Sequence, residues 1–402
     1  MREMKDSGVR WIGKIPTKWT IAKAKNCVEI QNGSDPKTEG SIPVYGSGSM
    51  SFKTCGEYKE GPSVLIGRKG ATLHIPHYIS SKFWNVDTAF NVYSKSIFNL
   101  KYYFYCAHVF DNTLYMSQTT LPSMTQTAYE NMFLPLPTKE EQSAIANQLD
   151  QICSKIDAVL EKTRASIEEY KKLKQAVITQ AVTKGIRGDR PMKDSGIEWI
   201  GEIPAEWNKD KVIRVFSVIG SGTTPKSSDE NLFGGNTPWI QSGDINGENL
   251  FVTKNCVSNS AIESYSALRV YQAPYLVVAM YGASVGNLSL SMIDACVNQA
   301  CCVLKKPTIN LKFSFYIFKA VKDYLTRKAV GGGQPNISQE TIKQLWLPIP
   351  SADEQIEISN YLDEKCRSVD ALIAKKQQYL TEIENYKKSL IYEYVTGKKE
   401  VV

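Results

Sequence analysis

The sequence predicts an α+β protein in which two mixed α/β domains are separated by two long antiparallel coiled-coil helices, with an internal pseudo-two-fold repeat. Three observations lead to this prediction. A short opening segment occurs twice, a long helical segment occurs twice, and the residues between them alternate short β-branched or aromatic runs with glycine turns. The 402 residues are enough for each domain to have its own hydrophobic core.

The short repeat is an opener of sixteen residues. Residues 4–19 read MKDSGVRWIGKIPTKW and residues 192–207 read MKDSGIEWIGEIPAEW, so eleven of sixteen positions are identical at an offset of 188. The long repeat begins with LPLPTKEEQ at 134–142 and with LPIPSADEQ at 347–355, and it continues at an offset of 213. Because the two offsets differ, the length of the chain has changed only between the repeated segments.

These repeats divide the chain into four predicted parts. The parts are a first domain at 1–137, a first spacer helix at 138–184, a second domain at 185–350, and a second spacer helix with a tail at 351–402. Both spacer helices have a predicted start, because T-x-x-E at 138–141 and S-x-x-E at 351–354 are capping boxes. Glycines at 185 and 397 stand where each helix is expected to end.

Apolar residues recur along both spacer helices at steps of three and four, which is typical of a coiled-coil seam of about six heptads. The residues predicted to pack one helix on the other are Ile145, Leu149, Ile156 and Ile167 in the first helix and Ile358, Leu362, Val369, Leu380 and Leu390 in the second. The predicted stripe also contains Val159, Leu372 and Tyr386. The simplest partner for each helix is the other copy, in an antiparallel pair with the two domains at opposite ends, and the alternative is that each helix packs on its own domain.

Polar residues interrupt this stripe. Thr163 and its counterpart Lys376 occupy the same repeat position, and Lys365 stands where the first copy has Ile152. A polar seam position can set the register of a coiled coil, and it can equally mark a solvated bulge. Both interpretations are compatible with the sequence.

The regions between the repeats, about 20–137 and 208–350, contain the candidate binding residues. Both regions have more basic than acidic residues, and glycines beside a cation let the backbone approach a phosphate closely. The candidates for phosphate contacts are Arg68, Lys69, Arg327 and Lys328, and those for reading base edges are Gln118, Thr119, Thr120, Gln241, Ser242, Asp244, Gln334 and Asn336. For any single residue an ordinary polar loop is the alternative interpretation.

The sequence nominates no catalytic residue and no metal ligand. Its histidines are His74, His77 and His108, all in the first domain, and a protein built as two equivalent halves would not place its chemistry in one. Nine cysteines form no C-x-x-C pair, and the chain has no P-loop, no H-E-x-x-H and no Asn-Pro-Pro-aromatic tetrapeptide. Without a signal peptide or a long apolar run, the expected location is the cytoplasm, with no membrane partner.

The repeated segments resemble the specificity subunits of Type I restriction-modification systems. The resemblance rests on the doubled opener, on LPLPTKEEQSAIANQLDQICSKIDAVL with its second copy, on IGRKGATLHIPHY and FWNVDTAF, and on the closing SLIYEYVTGK. It extends over essentially the whole chain. The length difference between the two divergent regions makes transfer of single residues from one to the other unsafe in their centres.

The resemblance implies that the two domains are target-recognition domains, each reading half of a split, asymmetric site in double-stranded DNA. The spacer helices would act as a ruler between the half-sites and would dock two methyltransferase (modification) subunits. This chain would bind no cofactor, since S-adenosylmethionine, ATP and magnesium belong to the modification subunits and to the restriction subunits that translocate and cleave DNA. The chain would therefore be non-catalytic and would confer specificity on adenine methylation and cleavage.

Two other classes of function remain open from the sequence. A stand-alone DNA-binding or scaffold protein could share this architecture without partners, and co-purification from the native cell would distinguish it. An enzyme with unrecognised motifs, such as a single-chain nuclease, would reveal itself by cleaving DNA or transferring a methyl group in isolation.

Overall fold

The structure is a computed structural model, and it describes residues 2–48, 50–70, 72–73, 75–95, 98–115, 122–247, 249–329 and 335–401. The chain forms two compact units. The first unit comprises Met1–Ala165 and Lys376–Val402, and the second comprises Ser166–Lys375. Each long helix therefore has one half in the first unit and the other half in the second.

Short strands make up most of the first unit outside the long helices. They are β1 (Met4–Asp6), β2 (Lys14–Pro16), β3 (Thr20–Lys23), β4 (Val28–Asn32), β5 (Ile42–Tyr45), β6 (Ser51–Cys55), β7 (Ser63–Gly67), β8 (His77–Ile79), β9 (Trp84–Asn85), β10 (Ala89–Ser94) and β11 (Phe133–Leu136). The main sheet has the order β4-β10-β7-β8 and the smaller one β6-β5-β9, while β1 pairs with β2 and β3 with β11.

The second unit repeats this plan. Its strands are β12 (Met192–Asp194), β13 (Glu202–Pro204), β14 (Asn208–Lys211), β15 (Phe216–Gly220), β16 (Phe233–Ile240), β17 (Asn249–Leu250), β18 (Asn255–Val257), β19 (Tyr275–Ala279), β20 (Leu288–Ser291), β21 (Cys296–Val297), β22 (Cys301–Pro307) and β23 (Trp346–Ile349). The sheet orders β15-β22-β19-β20-β17 and β18-β16-β21 match those of the first unit, with β17 added at one edge. The predicted pair of mixed α/β domains with one shared fold is confirmed.

Helices complete both units. They are α1 (Ala24–Cys27), α2 (Leu100–Ala107), α3 (Gln126–Asn131) and α4 (Lys139–Lys184), followed by α5 (Val212–Val215), α6 (Asn259–Ser264), α7 (Leu311–Lys328), α8 (Gln339–Lys343) and α9 (Ala352–Val395). Single 3₁₀ turns lie at Asn112–Leu114, Glu230–Leu232, Ser242–Asp244 and Gly282–Ser284. Within the described ranges, no helix has the length and apolar character needed to cross a membrane.

The two long helices start differently, although both were predicted to start at a capping box. At α4 the box is complete, because Thr138 Oγ1 accepts from the Glu141 amide at 3.2 Å and the Glu141 carboxylate accepts from the Thr138 amide at 3.2 Å. At α9 only the first half forms, with Ser351 Oγ 3.4 Å from the Glu354 amide nitrogen. The Glu354 carboxylate instead accepts from Arg190 and from the indole of Trp207.

Both long helices end at a glycine in the left-handed region. Gly185 follows α4 with φ of 74°, and Gly397 lies just beyond α9 with φ of 71°. A glycine in this conformation ends a helix without the steric penalty that a side chain would bring. The predicted helix ends lie within two residues of the observed ones.

Ion pairs between the two repeats show that α4 and α9 run antiparallel in both units. The pairs are Asp157–Lys387 and Arg164–Glu384 in the first unit, and Lys174–Asp370 and Arg187–Glu357 in the second. As the residue number rises along the first repeat, the number of its partner falls along the second. The predicted antiparallel helix pair is therefore correct.

The buried stripe of the helices follows the predicted one at most positions and departs from it at three. Of the predicted seam residues, Ile145, Leu149, Ile167, Ile358, Leu362 and Leu390 are buried, and Ile156, Val369 and Leu380 are half-buried. Val159, Leu372 and Tyr386 are exposed by 41%, 44% and 57%, so their assignment to the stripe was wrong. Leu160, next to Val159, is buried instead, and the buried stripe also includes polar positions.

Thr163 is one of these polar positions. Its side chain is buried, 8% exposed, and its hydroxyl donates to the Val159 carbonyl at 2.8 Å. A hydroxyl that bonds back to the preceding turn needs no water, so a solvated bulge at this position is excluded. Thr163 is a polar residue within the seam.

The ends of the helices also pack into the hydrophobic cores of the domains. The first core contains Leu149 near the start of α4 and Leu390 near the end of α9. The second core contains Ile178 near the end of α4 and Leu362 near the start of α9. Each helix therefore packs both on the other helix and on a domain, and the two interpretations treated as alternatives in the sequence both apply.

Candidate DNA-recognition surface and its supports

Arg68 lies in the loop after β7 and is held by its own domain. Its backbone amide donates to the Thr88 carbonyl at 2.8 Å, and its carbonyl accepts from the Met124 amide at 2.9 Å. The guanidinium donates to the Asp87 carbonyl at 3.3 Å and lies 5.8 Å from the centre of the Phe90 ring. Arg68 therefore fixes the shape of the loop and is only partly available to a ligand.

Lys69 is the more accessible cation of this loop. Its side chain is 42% exposed and its Nζ lies 3.5 Å from Asp87 Oδ2. The loop is attached to a second segment, since Lys69 forms a β-bridge with Ser123 and the Gly70 amide donates to the Pro122 carbonyl at 3.0 Å. That segment directly follows Gln118, Thr119 and Thr120, which lie outside the described residues.

A third loop, after β5, adjoins the same cluster. Ser47 Oγ and Thr72 Oγ1 are 3.0 Å apart, which joins the loop after β5 to the loop after β7. A Cβ atom at Gly46 would lie 2.9 Å from Thr88 Oγ1, so the turn before β10 also approaches closely. The first domain thus gathers loops from four parts of the chain into one polar surface.

The second domain places its equivalent loops in the same way. The Met280 amide donates to the Ala300 carbonyl at 2.7 Å and the Gly282 amide to the Pro335 carbonyl at 3.0 Å. Tyr281 forms a β-bridge with Asn336, as Lys69 does with Ser123 in the first domain. The backbone framework is therefore shared, whereas the side chains it presents are different.

The predicted candidates in the loop after β16 have unequal exposure. Asp244 is 9% exposed, its Oδ2 accepts from the Gln241 amide at 2.9 Å, and its Oδ1 accepts from the Lys254 amide at 3.3 Å. The structure gives this carboxylate the role of a loop cap. Gln241 Oε1 accepts from Asn255 Nδ2 at 2.8 Å, and Ser242 opens the 3₁₀ turn between them.

Two of the remaining candidates lie at the end of α7. Arg327 and Lys328 form its last turn and are exposed, with Lys328 Nζ 5.3 Å from the Tyr324 ring centre and 3.9 Å from Glu198 Oε2. Asn336 is exposed beside Tyr281. Gln334 lies outside the described residues.

A repeated contact between domain and helix was missed in the sequence, and we call it the latch. In the first unit, Asp150 of α4 accepts a hydrogen bond from the Tyr105 hydroxyl at 2.7 Å and contacts Lys101. In the second unit, Asp363 of α9 accepts from the Tyr316 hydroxyl at 2.6 Å and contacts Lys312. The sequence pattern that could have revealed this contact is a third repeat, N-L-K-x-x-x-Y, which begins at residue 99 and again at residue 310.

A second repeated contact joins each opener to the start of a long helix, and we call it the opener clasp. Trp19 Nε1 donates to Glu141 Oε2 at 3.1 Å, and Arg2 lies 3.1 Å from the same carboxylate. In the second unit, Trp207 Nε1 donates to Glu354 Oε2 at 2.9 Å, and Arg190 lies 2.6 Å from Glu354 Oε1. The tryptophans and arginines of the two units are related by the opener offset of 188. In each unit the repeated opener therefore binds the start of a repeated long helix.

The thiols of the chain are free, and most are buried. Burial raises the pKa of Cys301 and Cys302 to about 12, so both thiols stay protonated at neutral pH. Across the described ranges, no group of three or more His, Cys, Asp or Glu residues could hold a metal ion. His77 packs near the ring of Tyr45, and His74 lies outside the described residues.

His108 at the end of α2 makes the first unit sensitive to acid. Its pKa is lowered from 6.5 to about 4, mainly by burial and also by nearby Lys387, while Asp157 acts in the opposite direction. Because the folded-state pKa lies below the unfolded one, the unfolded chain binds more protons between these values. We expect the first unit to lose stability as the pH falls from 6.5 towards 4. The urea midpoint of unfolding should depend less on pH in this range for His108→Gln than for the unaltered chain. The same pH dependence in both proteins would contradict the assignment to His108.

Comparison with known proteins supports the resemblance drawn from the repeats. A family model described as the Type I restriction modification DNA specificity domain matches residues 16–169 and again residues 204–385. The chain is 26% identical over 283 residues to the putative type I restriction enzyme MjaX specificity subunit of Methanocaldococcus jannaschii, covering 69% of this chain and 62% of that protein. It is also 26% identical over 293 residues to the MjaVIII specificity subunit of the same organism, covering 70% and 66%.

The matched segments thus span slightly less than two thirds of the length of these two relatives. A solved chain, from work on complex assembly and conformational transition of the type I R-M system, superposes with a TM-score of 0.71 at 14% identity. It covers 95% of this chain and 98% of that chain, which shows a shared fold.

The repeated sheets, the shared loop framework and the antiparallel helices define a class of protein with two copies of one domain joined by a helix pair. The chain belongs to the Type I restriction modification DNA specificity domain family and contains two such domains in tandem.

Proposed function

We propose that this chain is the sequence-specific DNA-binding subunit of a Type I restriction-modification complex. It reads a split, asymmetric target with its two recognition domains, and it works in the cytoplasm. The observation that carries the proposal is the pairing of a shared backbone framework with different side chains, Arg68 and Lys69 in one domain and Met280 and Tyr281 in the other. Two modules of one fold that present different side chains are suited to reading two different half-sites.

The chemistry of the complex is assigned to partners of this chain. It docks modification subunits, two in number, and restriction subunits, and it confers specificity on both adenine methylation and cleavage. S-adenosylmethionine, ATP and magnesium are bound by those partners, and this chain is non-catalytic. The absence of histidines from the second half of the sequence supports this division, because two equivalent domains need equivalent catalytic groups.

The test is a selection from random duplex DNA. The full chain, with its modification subunits, is expected to enrich duplexes that share two short base motifs at a fixed separation. At moderate salt the enriched duplex should bind at least about a thousandfold more tightly than random duplex. Equal binding of enriched and random duplexes would contradict the proposal. Cleavage or methyl transfer by the chain alone would contradict its non-catalytic role.

Lys69 provides a test of phosphate contact. Because Arg68 supports the loop, replacing Lys69 alone separates a contact with DNA from damage to the fold. We expect Lys69→Ala to weaken binding to all duplexes and to reduce the slope of log affinity against log salt by about one. Asp87→Asn, which removes the anion beside Lys69, should tighten binding.

The matched control is Lys171→Ala, since Lys171 is an exposed lysine of α4 that pairs with Glu168. It should leave the salt slope unchanged. A changed base preference in Lys69→Ala with the original salt slope would reassign Lys69 to contact with a base edge.

A further inference from the structure

We propose that the two domains each present a pair of apolar side chains that wedge into the base stack of the bound duplex. The pairs are Met50 and Phe52 in the first domain, called tip 1, and Phe251 and Val252 in the second, called tip 2. The inference rests on the proposed function and deepens it, because it assigns a way of deforming DNA to residues that no sequence motif identified.

The exposure of these four side chains is the first observation. Met50 is 82% exposed, Val252 74%, Phe251 64% and Phe52 60%. In the described part of the chain, these are the four highest exposed fractions among the large apolar side chains that are exposed. Single exposed apolar residues are common on protein surfaces, but the four extremes fall at only two places.

Strand register shows that these two places are equivalent. In the first domain, Val44 of β5 pairs with Lys53 of β6 and with Trp84 of β9. In the second, Trp239 of β16 takes both roles, pairing with Asn255 of β18 and with Cys296 of β21. The tips therefore lie at the start of the same edge strand in both domains, since Met50 and Phe52 flank the first residue of β6 and tip 2 precedes β18. Their loops differ in length and sequence, so the shared exposure is not a copied motif.

Both tips adjoin the polar loops of the candidate surface. A Cβ atom at Gly46 would lie 3.8 Å from the Phe52 ring and 2.9 Å from Thr88 Oγ1, and the Thr88 carbonyl accepts from the Arg68 amide. In the second domain, the Lys254 amide beside tip 2 donates to Asp244 in the loop after β16. The apolar side chains thus lie next to the candidate DNA contacts of their own domain.

A lysine accompanies each tip. Lys53 Nζ lies 5.6 Å from the centre of the Phe52 ring, and Lys254 lies two residues after Val252 and is exposed. A cation next to an exposed apolar side chain suits a polyanion that also offers apolar faces, and duplex DNA has both. DNA-bending proteins insert Phe and Met between base pairs in this way, at a cost of a few kcal/mol per unstacked step.

The small size of the tips favours DNA over a protein partner. A stable protein interface buries about 800 Å² on each side, contributed by some 20–30 residues. Two side chains of one connection cannot supply that area, whereas one side chain is enough to occupy a base step. We therefore assign the tips to duplex DNA, and a protein partner becomes an outcome of the test.

The experiment uses the full chain and a duplex recovered by selection with the unaltered protein. Adenines in each half of the duplex are replaced singly by 2-aminopurine, whose fluorescence rises when it unstacks. We expect binding to raise the fluorescence at one step in each half-site. Met50→Ser with Phe52→Ser should abolish the rise in one half-site, and Phe251→Ser with Val252→Ser should abolish it in the other. Each double variant should bind about tenfold more weakly.

Leu173→Ser is the matched control, because Leu173 is a 50% exposed apolar residue of α4 that belongs to neither tip. It should change neither fluorescence nor affinity. Binding without any fluorescence rise would overturn the wedge. Unchanged DNA binding by the tip variants together with loss of a co-purifying subunit would overturn it in favour of a protein contact. If the unaltered chain enriches no duplex, the proposed function itself fails, and this result is distinct from the others.

Discussion

Replacing Glu354 by alanine is expected to destabilise the second unit by about 3–5 kcal/mol, because it removes the buried counter-charge of Arg190 and leaves only the exposed Glu206 as its ionic partner. The Glu354 side chain is 3% exposed and that of its partner Arg190 is 11% exposed. The substitution also removes the acceptor of the buried Trp207 indole. Losing one partner of a buried, hydrogen-bonded pair costs far more than losing a surface pair.

The control for this variant lies one turn further along α9. Glu357 pairs with Arg187, but both side chains are about half exposed, so Glu357→Ala should cost no more than about 1 kcal/mol. Urea denaturation followed by the fluorescence of the buried tryptophans measures both variants. Equal destabilisation by the two substitutions would contradict the role given to the opener clasp.

Replacing Leu362 by alanine is expected to cost about 2–5 kcal/mol, because the side chain is fully buried and its removal leaves a cavity in the second core. Leu372→Ala is its control in the same helix. The apolar pattern of the sequence places Leu372 in the stripe, but the side chain is 44% exposed, so its loss should change stability by roughly 0.5 kcal/mol or less. Because the predicted stripe contains both residues, thermal unfolding of the two variants tests whether Leu372 belongs to it, and comparable losses of stability would return Leu372 to the stripe.

The sequence predicted the architecture because its opener and its long helical segment each occur twice. Repeated segments at fixed offsets revealed two domains and two helices, and capping residues and glycines marked the helix ends to within two residues. The burial of individual positions along the stripe was not accessible in the same way. The sequence alone does not show how the polar side chains of Thr163 and Lys387 are accommodated, because this depends on a back-bonded carbonyl at Thr163 and on an ion pair between Lys387 and Asp157. Such compensation comes from neighbours in space, which a single sequence does not show.

The sequence predicted which loops form the candidate surface, but it did not predict the role of each side chain in those loops. Glycine and cation patterns drew attention to Arg68 and Lys69, yet only the fold shows that one supports the loop and the other is accessible. Asp244 has the residue type of a base reader, but the surrounding backbone uses it as a cap. The tips went unnoticed because Met50 and its neighbours form no motif, and exposure is a property of the folded chain.

The latch contacts are independent of the candidate recognition loops. Asp150 and Asp363 hold the two domains through the same three-residue chemistry, and neither contact uses a side chain from the recognition loops. A domain that keeps N-L-K-x-x-x-Y and the opener can therefore diverge or be exchanged by recombination without losing the latch and the opener clasp. Under the proposed function, the base preference of a domain can change while the contacts that hold that domain on the helices stay the same.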